Sequence, residues 1–143
     1  MIYRNWIATD NLQISELEKE CFKSPWSIDM LNQTTHLKNF YGKVCEVDGK
    51  IVGYIGAIYD FWDGEILNIA VKNEYRKQGI GEKLMQEIID FLCLEKKENV
   101  FLEVRKSNFP AQKLYEKLGF IKIGERKKYY ENTEDAIVMS KVL

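Results

Sequence analysis

The chain has little of what would tie a fold to a metal, a disulfide or a membrane. It carries one histidine, His36, and three cysteines, Cys21, Cys45 and Cys93, far apart and without a CxxC pair. That is too thin a ligand set for zinc, so no metal is expected. The thiols read as reduced and act as small apolar residues. No apolar run approaches the ~20 residues that cross a bilayer. The opening Met1-Ile2-Tyr3-Arg4-Asn5-Trp6 lacks the charged-then-apolar build of a secretion signal. A cytoplasmic protein with no membrane partner is expected. An excess of one charge is missing too: 21 Lys and Arg stand against 22 Asp and Glu, for a net charge of −1. This argues against a strongly basic nucleic-acid binder and leaves room for a cationic partner. There are two prolines, and no repeat or Pro/Gly-rich linker. Residues 1–143 therefore read as one domain, and a monomer is expected. A chain of this length can bury roughly 70% of its unfolded surface without a covalent staple.

What is present alternates between two periods. Residues 2–7 look like a short strand. Leu12, Ile14, Leu17 and Phe22 have near-helical spacing after Asp10, which could cap them. Ser27 could cap a second short helix, with Trp26 and Leu31 as its hydrophobic staple. Phe40–Val47 and Ile51–Tyr59 are strand-like, and Asp48-Gly49 between them is a two-residue hairpin turn. Glu65–Val71 is nearly all apolar, the mark of a strand buried on both faces. Ile80, Leu84, Met85, Ile88, Phe91 and Leu92 then share one face of a long helix. Val100–Arg105 is a strand. A helix over about 108–118 follows, capped by Ser107 or Asn108, with Pro110 in its first turn and Gly119 at its stop. Two strands, Phe120–Tyr130 and Asp135–Val142, close the chain. The order β-α-α-β-β-β-α-β-α-β-β predicts an α/β domain with a central mixed sheet and helices on both faces.

Two stretches carry candidate chemistry. Between a strand and the long helix lies Arg76-Lys77-Gln78-Gly79-Ile80-Gly81. Glycines at a helix start let backbone approach a ligand, and the free first-turn N–H groups suit an anion such as a pyrophosphate. The same loop reads equally as a tight turn with solvated charges. Leu84 stands where a dinucleotide fingerprint would place its third glycine, and no Gly-Lys-Ser/Thr follows, so neither common nucleotide loop fits. The second stretch is Glu103 within Val100–Arg105, followed by Tyr115. Glu103 is either solvent-facing or functional, and Tyr115 is either a core aromatic or a proton donor.

The pattern R-x-x-G-x-G after Leu67-Asn68-Ile69-Ala70-Val71 resembles the acetyl-CoA loop of the GCN5-related N-acetyltransferases. Leu102–Asn108 with Ala111 and Leu114–Phe120 resembles the second half of that family's motif. The resemblance implies acetyl-CoA as co-substrate. It implies Ile69, Ala70 and Val71 along pantetheine, and Lys77, Gln78, Gly79, Ile80, Gly81 and Glu82 at the pyrophosphate with Arg76 alongside. It also implies Asn108 at the cofactor and Tyr115 as the acid for the leaving thiolate. Glu20-Cys21-Phe22, Pro25-Trp26-Ser27, Tyr129-Tyr130 and Glu134-Asp135-Ala136 resemble the members that acetylate the N-terminal alanine of a small-subunit ribosomal protein. There Glu103 matches the general base. Glu131 departs from the proline expected after the tyrosine pair.

The chemistry agrees with that resemblance. Acetyl transfer needs a neutral amine, an oxyanion donor and a proton for sulfur. An α-amine, with pKa about 7.7–8.0, is partly neutral near pH 7.5, whereas a lysine is neutral only about once in a thousand. One glutamate therefore suffices for an N-terminus. A tyrosine near pKa 10 can protonate the thiolate. A strand N–H of Ile69–Val71 can hold the oxyanion. Trp26, Tyr129 and Tyr130 could wall a peptide groove, or could be a helix staple and ordinary strand alternation. Glu134 and Asp135 could draw a basic tail. A lysine or small-molecule amine as acceptor, and a non-catalytic acyl-CoA-binding or ribosome-associated module, are the competing readings.

Overall fold

The computed structural model describes Met1–Leu143. Its strands are β1 (Ile2–Asn5), β2 (Phe40–Val47), β3 (Lys50–Tyr59), β4 (Asp63–Val71), β5 (Asn99–Arg105), β6 (Ile121–Tyr130) and β7 (Glu134–Val142). Its helices are α1 (Asn11–Cys21), α2 (Ile28–Thr35), α3 (Ile80–Leu94) and α4 (Phe109–Lys117). The order along the chain is the expected one. All seven strands form one sheet, β1-β2-β3-β4-β5-β7-β6, with only the β4–β5 pair parallel. The last strand thus inserts between β5 and β6.

Local chemistry explains most boundaries. Asp48 and Gly49 both have positive φ, 50° and 77°, and join β2 to β3 with Val47 opposite Lys50. That is a type I′ turn, whose twist matches the strands it joins. Ser27 caps α2 by accepting from the Met30 amide at 3.2 Å. Asn108 rather than Ser107 caps α4, with its side chain accepting from the Ala111 amide at 3.3 Å. Two sequence expectations are corrected. Asp10 precedes α1 but does not cap it: its carboxylate holds Arg4, at 2.9 Å, and the Ile7 amide, at 2.8 Å. Leu12 lies on the solvent side of α1.

Two apolar layers sandwich the sheet. On one face, α3 supplies Ile80, Leu84, Met85, Ile88 and Leu92 against Val52, Ile55, Val100 and Leu102, with Tyr115 of α4 joining them. On the other, Ile14 and Leu17 of α1 and Leu31 of α2 pack on Trp6, Val44, Tyr54 and Ala70.

Strand β4 is not buried on both faces as its composition suggested. Only Gly64, Ile66 and Ala70 are buried, and Leu67, Asn68, Ile69 and Val71 are half open. The cause is topological. The pairing with β5 ends at Glu65 opposite Phe101. Against β3, Gly56 faces Asn68 and Ala57 faces Ile66, which leaves Leu67 as a bulge. A bulge bends its strand and increases the local twist. Beyond it β4 and β5 have no paired residues, and the sheet opens into a wedge.

Candidate active site

The mouth of α3 lies at the end of β4. Gly79 is its N-cap in the left-handed region, φ 82°, and Lys77 is also left-handed, φ 61°. No heavy atom stands within 4 Å of where a Gly79 Cβ would lie, so the mouth is open. The loop bonds are Arg76 N–H to Asn73 and Lys83 N–H to Gly79, and the six N–H groups between them, from Lys77 to Glu82, meet no acceptor in the chain. A run of convergent free amides at the positive end of a 15-residue helix is an anion site. A pyrophosphate fits it.

The edge of β4 is the second part. The Lys72 amide bonds to Val52 of β3 at 2.7 Å. By strand alternation, Ala70 faces β3 while Ile69 turns its N–H and C=O, and Val71 its N–H, into the wedge. Arg76 is not free beside the loop. Its Nε donates to the Val71 carbonyl at 3.0 Å, and Nη2 lies 3.6 Å from Cys21 Sγ. It clamps the end of β4 to α1.

Glu103 sits on β5 just past the last β4 pair. Its Oε1 is 3.4 Å from Arg126 Nη1; its Oε2 is enclosed with no donor at hydrogen-bond distance, although the Tyr129 phenol stands near enough for Glu103 to raise it. A buried carboxylate oxygen left unpaired costs free energy, on the order of 1–3 kcal/mol. Such an atom suits a donor arriving with substrate or water. Tyr115 lies in the core on the α3 side, its ring 6.0 Å from that of Phe120, and burial, then Tyr130, pushes its phenol well above the ordinary range. The direction departs from the free-tyrosine value, because burial disfavours the phenolate. Tyr130 links the pair. Burial raises it to about 12, with further contributions from Glu103 and Tyr129. Tyr130 therefore lies within the electrostatic reach of Glu103 and contributes to the shift of Tyr115.

The rim is built from distant segments. Tyr129 and Tyr130 stack edge-on at 5.0 Å, and the Arg105 guanidinium lies 4.3 Å from the Tyr130 ring. Arg105 also holds Glu131 at 2.6 Å and Glu134 at 3.2 Å. Both carboxyls fall below the usual range, Glu131 through Arg105 and Glu134 first through Ser107. Ser24 reaches Glu131 at 3.0 Å and so joins the segment before α2 to the β6–β7 turn. Asp135 accepts from the Lys128 amide at 2.9 Å and from Lys127 at 3.2 Å. Neither Glu134 nor Asp135 is a free charge facing a groove. Trp26 is half-buried against the α1–α2 layer that contains Leu31.

Sequence reasoning passed over Glu18. It is fully buried on α1 and accepts from the Trp26 amide at 2.9 Å, from Asn68 Nδ2 at 2.6 Å, and from the Tyr54 hydroxyl. The signal was in the sequence: Ile14, Leu17, Glu18 and Cys21 share one helical stripe.

A strand that leaves its neighbour beside a helix mouth of bare amides offers one extended ligand both an anion site and unpaired backbone groups. The profile of the acetyltransferase (GNAT) family matches residues 11–120, and the chain belongs to that family. It is an acetyl-CoA-dependent N-acetyltransferase. Among its relatives, a Bacillus subtilis protein assigned as a ribosomal protein bS18-alanine N-acetyltransferase is 43% identical over 95% of this chain and 91% of its own. The Escherichia coli bS18-alanine N-acetyltransferase is 34% identical over 93% of this chain and 91% of its own. The crystal structure of the ribosomal-protein-S18-alanine N-acetyltransferase from Escherichia coli superposes with a TM-score of 0.92 at 28% identity, covering 99% of this chain and 92% of that one.

Proposed function

We propose that this enzyme acetylates the α-amino group of a protein N-terminus, and that its acceptor is the N-terminal alanine of a small-subunit ribosomal protein. The observation that carries the reading is the enclosed Glu103 Oε2, which has no donor of its own and lies where β4 and β5 part. The named activity of the bS18-alanine relatives supports the choice of acceptor. Such an acceptor places the enzyme in the cytoplasm.

The pyrophosphate of acetyl-CoA lies on the amides of Lys77–Glu82, and pantetheine follows Ile69, Ala70 and Val71 into the wedge. Asn108 contacts the cofactor from the start of α4. The neutral amine attacks the thioester carbonyl carbon. The oxygen takes up the electron pair and is held by a strand N–H of Ile69 or Val71. The amine proton passes to Glu103, directly or through a water. The pair then returns, the C–S bond breaks, and Tyr115 gives its proton to sulfur. Burial disfavours its phenolate, so Tyr115 keeps its proton until this step. Trp26, Tyr129 and Tyr130 flank the peptide, while Glu134 and Asp135 shape the rim through their ion pairs.

A CoA-release assay tests the reading. Short peptides beginning Ala-Arg are compared with the same peptides blocked at the α-amine but carrying a free lysine, and with free polyamines. Release is expected from the unblocked peptides alone. Equal release from blocked peptides or polyamines would move the acceptor to a side-chain or small-molecule amine.

A further inference from the structure

Glu18 is a carboxylate with no cation beside it, in a layer of apolar side chains, and nothing in the acetyl-transfer chemistry uses it. A charge so buried is costly unless hydrogen bonds compensate. Here the compensation comes from three segments at once. The Trp26 amide belongs to the loop entering α2, Tyr54 to the middle of β3, and Asn68 to β4 one residue after the bulge. A carboxylate accepts several bonds and donates none, so it alone can face three donors. Glutamine would turn an NH2 toward one of them.

We infer that Glu18 is a positioning residue, which locks the loop carrying Ser24 and Trp26 to the bulged point of β4 and so sets the acceptor wall against the acetyl group. The inference rests on the reading of this site as an N-terminal acetyltransferase. Its reach follows from connectivity. Asn68 precedes Ile69, whose polar groups enter the wedge. Eight residues beyond Glu18, Trp26 leads into α2, and Ser24 of the same loop bonds to Glu131 of the β6–β7 turn. One side chain therefore joins both walls of the groove. The groups facing it are Tyr54 from β3, Asn68 from β4 and Cys21 from its own helix, with Arg76 behind Cys21. Burial lifts the Glu18 carboxyl to about 7, against the pull of the Trp26 amide and Asn68. With its pKa raised, Glu18 contributes stability that is present in full below the ordinary carboxylate range and is lost as pH rises to about 7. The charged form thus holds the groove in place at the expense of stability.

Kinetics of Glu18→Gln and of Asn68→Ala, with an Ala-Arg peptide and acetyl-CoA, test this. In Glu18→Gln the peptide KM should rise about tenfold while kcat changes by less than about threefold, as for lost ground-state positioning. Acetyl-CoA affinity should stay within about twofold, and Asn68→Ala should show the same split at about threefold in KM. Two readouts do not depend on turnover. The backbone amide proton shift of Trp26, followed by NMR, should titrate near neutral pH in the wild type and stay flat in Glu18→Gln. The wild-type melting temperature should fall between about pH 5 and pH 8, and Glu18→Gln should lose most of that slope. An unchanged peptide KM in both variants, or a flat Trp26 titration in the wild type, would overturn the inference. So would acetyl-CoA binding that weakens in proportion to activity, because that describes a general loss of folded protein. A wild-type enzyme that ignores the peptide would instead count against the acceptor reading, and the Trp26 titration would still judge Glu18.

Discussion

The two halves of the wedge are built by opposite means. The proposed cofactor half is mainly one continuous stretch, from Ile69 to Glu82, joined by Asn108 from the start of α4. Its amides point outward because a strand ends, a left-handed glycine turns the chain, and a helix begins. The proposed acceptor half is assembled from Ser24, Trp26, Arg105, Tyr130, Glu131 and Glu134, spread over more than a hundred residues and joined by the Arg105 ion pairs, the Ser24–Glu131 hydrogen bond, the Arg105–Tyr130 contact and the bond from the Trp26 amide to Glu18. Backbone geometry makes the first half rigid and generic. Side-chain pairing makes the second adjustable.

Perturbations should respect the division, and the largest effects should come from groups that serve both halves. Glu103→Gln removes the base and should lower kcat/KM by roughly 10²–10⁴ with acetyl-CoA affinity unchanged, measured by CoA release and calorimetry. Tyr115→Phe keeps the core packing and loses the proton, so kcat should fall about a hundredfold, again with affinity for CoA held. Undiminished turnover there would remove Tyr115 as the acid. Gly79→Ala meets open space but must adopt a left-handed backbone, which costs about 1–2 kcal/mol. The CoA dissociation constant should weaken about tenfold and the peptide KM should not move, and a moved peptide KM would break the separation of the halves. Glu131→Ala releases Arg105 and Ser24. Solvent screens these pairs, so the peptide KM should rise only about threefold with CoA binding untouched. If CoA binding weakens as well, the rim reaches further than its contacts suggest.

Much of this was legible before any coordinates. Element order, the Asp48-Gly49 turn, the Ser27 cap and the helix opening after Gly79 all follow from interactions within a few residues, and sequence displays such interactions directly. Glu103 was visible as a charge in an apolar strand, with its outward face set by the alternation of Val100, Leu102 and Val104. The roles of Glu134 and Asp135 were not legible, because a carboxylate looks the same whether it awaits a cationic ligand or already holds Arg105 or Lys127. Arg76 reads as a phosphate ligand until it is seen gripping Val71. Glu18 escaped notice because a glutamate on a helix is usually solvated, and only its place on the Ile14–Cys21 stripe marked it.

By itself, then, the sequence determined the periodicities, the turns and a helix mouth of unpaired amides, since each depends on φ/ψ preferences and hydrogen bonds between near neighbours. Only the tertiary structure decided that β7 enters between β5 and β6, that β4 bulges at Leu67 and parts from β5, and that Glu18 is sealed beneath three donors. Those outcomes depend on which distant surfaces exclude water together. Strand pairing and burial free energy are properties of the assembled sheet, and no local stretch of chain contains them.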